Sequence, residues 1–475
     1  MRAYPAEPAL RLAPSCRVSW CGILQFALAL VAGTNAVANT TAADTLQLVE
    51  RIADWQLSHP CAFDVRWHAP GDETLVHVRL GWDGTILRHR TLPFTTEPDK
   101  PALPPAWNHV ARREAGNLAF NDLPDAARKA WIEKIALDPQ HIIALKLMDE
   151  GATRGWEMAT LYVGLLALDA VSAKPVYREA LRTLAEAQHW QLAPRTYHAD
   201  DLLLGYLHLD FYSREKNPAQ LAAVQSRLDW LRTHPSSQSL DIRDGQERWT
   251  WCDALFMAPP VWLRLWEITG DRRYLDFMDR EWWATTEFLF SKEDALFFRD
   301  AKFFAQREAN GEKIFWSRGN AWVIASLALM LEDLPADLPS RPRYVELFQA
   351  LAHRLSSLQP DDGLWRSSLL DPQANPNPES SASAFFCYAF ARGIRLGMLD
   401  EKKYRPIVDR TWSALRRCVQ KDGRVGFVQQ PGAAPGQADA SSTAPYGVGA
   451  FLLAGTEVYR LQRDGNTSAT PAVAP

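Results

Sequence analysis

The sequence predicts an all-α fold, an (α/α)6 toroid, and three observations carry that expectation. From Trp156 onward, six nearly uncharged, small-residue-rich segments recur at 161–168, 202–209, 254–263, 323–330, 384–391 and 448–454. Most of them lead through a short polar turn into an amphipathic segment, marked by Tyr177, Tyr274, Tyr344 and Tyr404; 219–231 fills the same slot without a tyrosine. A helix that is apolar all round is a buried helix, whereas a half-polar one covers it. The alternation therefore reads as an inner ring wrapped by an outer ring. Third, segment 40–57 sets Leu46, Val49, Ile52, Ala53 and Leu57 on one face and supplies the first outer helix. The repeats are irregular, at roughly 45 to 70 residues each.

Taken in order, the chain opens with Arg2, Arg11 and Arg17 ahead of an apolar run at 18–32. Ala36-Val37-Ala38 then offers a small-residue cleavage site. Residues 1–38 thus read as a secretory signal peptide, and the mature protein is expected to be periplasmic or secreted, without stable membrane association. Neither Cys16 nor Cys21 sits in a lipoprotein context. Residues 39–465 form the expected barrel domain. Within it, 58–138 is a strand-containing insertion, with alternating or β-branched runs at 63–67, 74–80 and 85–87 and a turn at 81–84. A proline-rich stretch at 98–105 leads to a polar helix over 124–136, and 466–475 reads as a disordered tail.

The 475 residues carry a net charge of -4 with no sustained basic patch, which excludes nucleic acid as the expected partner. The four cysteines left after cleavage, Cys61, Cys252, Cys387 and Cys418, lack metal-ligand spacing, so neither metal nor cofactor is expected. Cys252 and Cys387 lie in apolar runs and read as small buried hydrophobes. Nineteen tryptophans favour a core that opens onto a flat ligand such as a sugar.

If the inner helices all run the same way, their N-terminal residues share one mouth of the barrel, the default place for a site. Those residues are Trp156 and Glu157, the pair Asp200 and Asp201, Asp253, the group Arg318, Gly319 and Asn320, then Glu379 with Ser380 and Ser381, and Ser442 with Thr443. Asp253 heads the run 254–263, with Trp249 and Trp251 just before it. An acid held between indoles loses hydration, which raises its pKa and suits it to proton donation. The plain structural reading is an N-capping aspartate. One of Asp200 and Asp201 reads equally as a cap, Arg318 as a partner for a buried acid, and His198 and His208 as structural histidines.

Asp200-Asp201, Trp251-Cys252-Asp253 and Trp316-Ser317-Arg318-Gly319-Asn320-Ala321-Trp322, in this order on successive inner helices, resemble the unsaturated rhamnogalacturonyl hydrolases of glycoside hydrolase family 105. They also resemble the related unsaturated glucuronyl hydrolases of family 88. The resemblance covers about 156–461. It implies that Asp253 is general acid and base, that Asp200 or Asp201 assists, and that Trp251, Arg318 and Trp322 touch substrate. The substrate so implied is an oligosaccharide with a 4,5-unsaturated uronic acid at its non-reducing end. Trp249, Trp316, Asn320, Trp156 and His198 complete the candidate substrate-binding set. Where the family often has a histidine, this chain reads Phe298-Arg299-Asp300-Ala301-Lys302, so Arg299 joins Arg318 as a candidate for the uronate carboxylate, which a guanidinium meets with parallel donors. The implied chemistry is protonation of a vinyl ether at C4 and attack of water at C5, which one carboxyl can serve in both directions. Two alternatives stay open: an (α/α)6 polysaccharide lyase, for which Tyr197-His198 is the nearest base, and a noncatalytic glycan-binding protein.

Overall fold

The computed structural model describes residues 41–59, the strand backbone at 63–67, 74–80, 86–93 and 142–147, and residues 154–241 and 246–468, with side chains to Asp464. The expected signal segment, the turn at 81–84, the proline-rich stretch and the helix over 124–136 lie outside these residues.

In chain order the helices are α1 (Ala42–Ser58), α2 (Trp156–Asp169), α3 (Val176–Ala187), α4 (Leu204–Glu215), α5 (Pro218–Thr233), the single turn α6 (Ala254–Met257), α7 (Pro259–Thr269), α8 (Arg272–Leu289), α9 (Ser317–Met330), α10 (Arg341–Ser357), α11 (Ser380–Arg395), α12 (Glu401–Arg417) and α13 (Pro445–Ser468). Helices α2, α4, α7, α9, α11 and α13 pack each against the next, and α13 returns to α2. That is a closed inner ring. Helices α3, α5, α8, α10 and α12 lie on the inner helix that precedes each, while α1 covers α13 and α2. The all-α toroid expected from the alternation is what forms.

Burial explains the alternation. Every residue of α9 is buried, as is α11 through Ala391. By contrast α8 buries Tyr274, Leu275, Met278, Trp282 and Leu289, one stripe at helical spacing. Turns are set by local chemistry. Gly270 ends α7 in the left-handed region at φ 70, and Asp271 then accepts from the Arg273 backbone N–H to start α8. The ring closes backbone to backbone: a Cβ on Gly164 of α2 would stand 2.5 Å from the carbonyl oxygen of Gly449 on α13.

The insertion holds a four-stranded antiparallel sheet in the order β3-β2-β1-β4, with β1 (Phe63–Trp67), β2 (Thr74–Leu80), β3 (Ile86–Pro93) and β4 (Ile142–Leu147). Two boundaries differ from expectation. Strand β3 runs on to Pro93, and β4 lies beyond 138, in a continuous apolar run whose periodicity does not separate strand from helix. Helix α13 likewise continues to Ser468, three residues into the expected tail. A short hairpin, β5 (Phe290–Ser291) and β6 (Leu296–Phe297), precedes the loop that carries Arg299.

Candidate active site

The starts of the inner helices hold the candidate residues, and two carboxyls there are set apart from the rest. Asp253 stands at the N-cap of α6 with helical dihedrals (φ -61, ψ -32), and its side chain caps nothing. Its carboxyl is buried, and burial raises its pKa, opposed chiefly by Arg299. The Cys252 backbone N–H donates to the Arg299 carbonyl at 2.8 Å, which stitches the two loops together. Arg299 Nε then lies 3.5 Å from Asp253 Oδ2, while its Nη1 donates to Asp300 Oδ2 at 2.6 Å. The Cys252 thiol donates to Asp253 Oδ2 at 3.6 Å.

Neighbouring acids in the sequence meet opposite fates. Asp201 is buried and consumed by Arg195, accepting from its backbone N–H at 2.7 Å and from its Nε and Nη2 in a forked ion pair. Asp200 receives only long-range company, Arg195 at 4.0 Å and the His198 ring at 3.7 Å. Its pKa is pushed up to about 7, by burial first, with Arg195 opposing and the charges of Asp201 and Asp253 adding. Neither acid caps the helix. A 3-10 turn, Ala199–Asp201, precedes α4, and its cap is His198, whose Nδ1 accepts from the Asp200 backbone N–H at 3.3 Å. Its Nε2 bonds the Gln246 side-chain oxygen, which fixes the tautomer, and its ring rests 5.0 Å from that of Trp251. Burial lowers the His198 pKa to about 4, so the ring is neutral.

The candidate residues of the W-x-R-G-N segment are engaged with other protein groups. Arg318 is fully buried, and its guanidinium is committed to the Gln429 carbonyl (2.6 Å), the Gln430 carbonyl (3.0 Å) and the Tyr446 hydroxyl (3.1 Å). It lies between the rings of Trp316 and Tyr446. Asn320 spends its amide on the Phe297 backbone N–H and on the carbonyls of Phe297 and Trp316. Trp316 is buried and donates from Nε1 to Gln429 Oε1 at 3.0 Å. Trp249 is buried too, its carbonyl taken by Thr285. These residues hold loops together. The sequence hid this because their partners lie in another part of the chain, 111 residues beyond Arg318 in the case of Gln429.

Trp156 and Trp322 do meet, edge to face at 6.0 Å, in an aromatic group with Phe256, Phe385 and Tyr446. Trp322 is buried and Trp156 is the half-buried member. Trp251, Thr250, Gln246, Arg299, Asp300 and Lys302 line a small, partly open cleft. The roles of Gln246 and Gln429 were missed from sequence, whereas the segment 444–447 that holds Tyr446 reads there either as lining the site or as a turn. Tyr446 carried a faint signal, since it opens the last inner helix. Gln246 and Gln429 carried none.

A helical toroid that gathers at one mouth two carboxyls with raised pKa and a guanidinium is equipped for proton transfer to a bound ligand. Residues 131–462 match Glycosyl Hydrolase Family 88, and the chain belongs to that family. A curated relative, an unsaturated 3S-rhamnoglycuronyl hydrolase of Formosa agariphila, is 38% identical over 325 residues, 66% of this chain and 86% of its own. Among solved structures, a family 88 glycosyl hydrolase from Bacteroides vulgatus aligns with a TM-score of 0.61 at 30% identity, over 65% of this chain and 92% of its own. A protein described as a polysaccharide lyase aligns with a TM-score of 0.61 at 30% identity, over 67% and 92%.

Proposed function

We propose that this chain removes a terminal 4,5-unsaturated uronic acid from lyase-generated oligosaccharides by hydrating its vinyl ether. The carrying observation is the buried, uncapped Asp253 carboxyl with Arg299 at 3.5 Å. In this reading Asp253 protonates C4. Positive charge then develops at C5 and the ring oxygen, water adds at C5, and the resulting hemiketal opens to release the aglycone. The carboxylate left on Asp253 takes the proton from the attacking water, which restores the acid. Asp200, whose pKa lies near 7, assists as the second carboxyl, and Arg299 rather than Arg318 meets the uronate. Trp156 and Trp251 supply apolar faces to the sugar rings.

The relative's substrate suggests the finer assignment, an aglycone of rhamnose type. Turnover would be followed as loss of the unsaturated-uronide absorbance. Unsaturated uronate–rhamnose disaccharides, with and without a 3-sulfate, would be compared with a uronate–hexosamine disaccharide. Faster turnover of the hexosamine compound would reject the rhamnose assignment, and no turnover of any would reject the hydrolase.

A polysaccharide lyase would instead raise that absorbance on intact polymer. It would need a free histidine or tyrosine base. Here both His198 nitrogens are engaged, and the Tyr197 hydroxyl donates to the His234 carbonyl at 2.9 Å. We further propose export, with the mature chain starting near Asn39. N-terminal sequencing of protein from the native extracytoplasmic fraction checks this, and recovery of Met1 there would reject it.

A further inference from the structure

Cys252 and Gly319 belong to the motifs that head α6 and α9, and the reaction proposed above uses neither. The structure brings them together. A Cβ on Gly319 would stand 3.0 Å from Cys252 Sγ and 3.2 Å from Trp316 Cε3, so a larger residue there would press on the thiol. Cys252 has no exposed surface, whereas the Asp253 side chain keeps 11% of its own. The thiol therefore meets neither solvent nor ligand, and any part it has in the chemistry is exerted through Asp253.

The contacts of that carboxyl are one-sided. Cys252 Sγ donates to Oδ2 at 3.6 Å, and Arg299 Nε makes its closest approach to the same oxygen, at 3.5 Å. Arg299 Nε is buried there without a hydrogen bond, so it supplies charge. Among the described residues the thiol is the one side chain that donates to Asp253, and none donates to Oδ1. Burial, with the charge of Asp253 adding, raises the Cys252 pKa well above its ordinary 9.0, so the donor keeps its proton at neutral pH. A donor aimed at one oxygen of a carboxyl occupies a lone pair there and leaves the acid's own proton on the other oxygen.

We propose that Cys252, seated by Gly319, is a positioning residue that fixes Oδ2 of Asp253 and leaves Oδ1 to carry the proton delivered to C4. The role, though not the contact, rests on the uronyl-hydrolase reading. The Oδ1–H bond breaks as the C4–H bond forms, and its electron pair stays on the carboxylate. Oδ1 regains a proton from the water that adds at C5. Cys252 exchanges no proton and changes no oxidation state; its hydrogen bond stabilises the carboxylate that the first step leaves behind.

The test compares Cys252→Ala, which removes the donor, with Cys252→Ser, which keeps one, both checked by circular dichroism. Each retains the backbone bond from residue 252 to Arg299. Each also retains the charges around Asp253: Arg299 and Asp300 on one loop, Asp200 ahead of α4 and Arg318 on α9. On an unsaturated uronate–rhamnose disaccharide, kcat of Cys252→Ala should fall about two- to tenfold, the worth of one hydrogen bond, with KM little changed. Its carboxylate has lost a donor, so the alkaline limb of the pH–rate profile should move up by about half a pH unit. Cys252→Ser should move both back towards wild type. Gly319→Ala should shift the limb the same way, and should add little in the Cys252→Ala background, where the thiol it presses on is gone. A second readout needs no turnover. The infrared S–H stretch of Cys252, assigned by its absence from Cys252→Ala, should shift as Asp253 titrates. It should also lie below those of Cys387 and Cys418, whose bonds to backbone carbonyls are 3.9 Å long. A Cys252 band that ignores pH, or an alkaline limb unmoved in Cys252→Ala, would overturn the proposal. An absence of turnover by wild type would instead reject the hydrolase reading, on which the infrared titration does not depend.

Discussion

At the scale of the residue, the role proposed for Asp253 rests on a carboxyl that is buried at a helix start without capping it. Asp253→Asn should therefore leave the fold intact, as circular dichroism would show. It should lower kcat by about 10²- to 10⁴-fold, the range for loss of one proton-transfer group. A folded variant keeping more than about a tenth of wild-type kcat would remove Asp253 from that role. Arg299 holds the Asp253 pKa down, so Arg299→Gln should let the acid stay protonated to higher pH. Its pH–rate profile should lose its alkaline limb later than wild type, and KM should rise as the uronate loses its guanidinium. An Arg318→Lys variant should instead lose thermal stability, because that guanidinium ties down Gln429 and Gln430. Asp200 gives a linkage test. Its folded pKa of about 7 exceeds the 3.8 of an unfolded aspartate, so the folded state holds the extra proton and wild type loses stability as pH rises from about 4 to 7. Asp200→Asn escapes that loss. Its melting temperature relative to wild type should climb across this window and level off above it, while kcat falls.

At the scale of the element, helix crossings and loop anchors decide where the site residues stand. Gly164 and Gly449 let α2 and α13 touch backbone to backbone where the ring closes. Gly449→Ala would push a methyl against the backbone of Thr160 and Leu161, which cannot rotate aside as a side chain can. The expected cost is about 1–3 kcal/mol of stability, read as a lower denaturation midpoint in urea with an unchanged slope. The second anchor is Gln429. Its backbone N–H donates to the buried Glu379 carboxylate at 3.0 Å, its side-chain oxygen accepts from Trp316, and its carbonyl accepts from Arg318 and Tyr446. Glu379 also accepts from the Ala382 N–H at 2.7 Å, capping α11. One residue of a loop thereby aligns the starts of α9, α11 and α13.

At the scale of the whole molecule, the barrel buries neutral histidines that acid must charge. His208 is fully buried, its ring nitrogens find no hydrogen-bond partner among the described residues, and burial lowers its pKa to about 3. An unfolded histidine titrates at 6.5, so between about 3 and 6.5 the unfolded chain binds the extra proton and acid favours unfolding. The stabilisation is complete above 6.5 and shrinks below it. His208→Leu removes that term, so its stability relative to wild type should rise as pH falls below 6.5 and be flat above. The trend is opposite in sign to that of Asp200→Asn. A difference curve independent of pH would show that His208 does not titrate as described.

The sequence by itself determined the architecture, since apolar and half-polar helices can satisfy burial in few ways, and alternation at this period leaves a two-layered ring. It also determined that aromatics, acids and arginines share one mouth, because parallel inner helices bring their first turns together. Which of these groups are free for chemistry was decided by tertiary structure alone. Asp200 and Asp201 are chemically identical and adjacent, yet Arg195 takes one and burial raises the other. Arg299 and Arg318 are both guanidiniums, and only the distant loop carrying Gln429 separates the structural cation from the one beside Asp253. Hydrophobic periodicity is a local property of the chain, whereas hydrogen-bond partners, desolvation and charge neighbourhoods are set by how separate segments pack, as Gln429 does against Arg318.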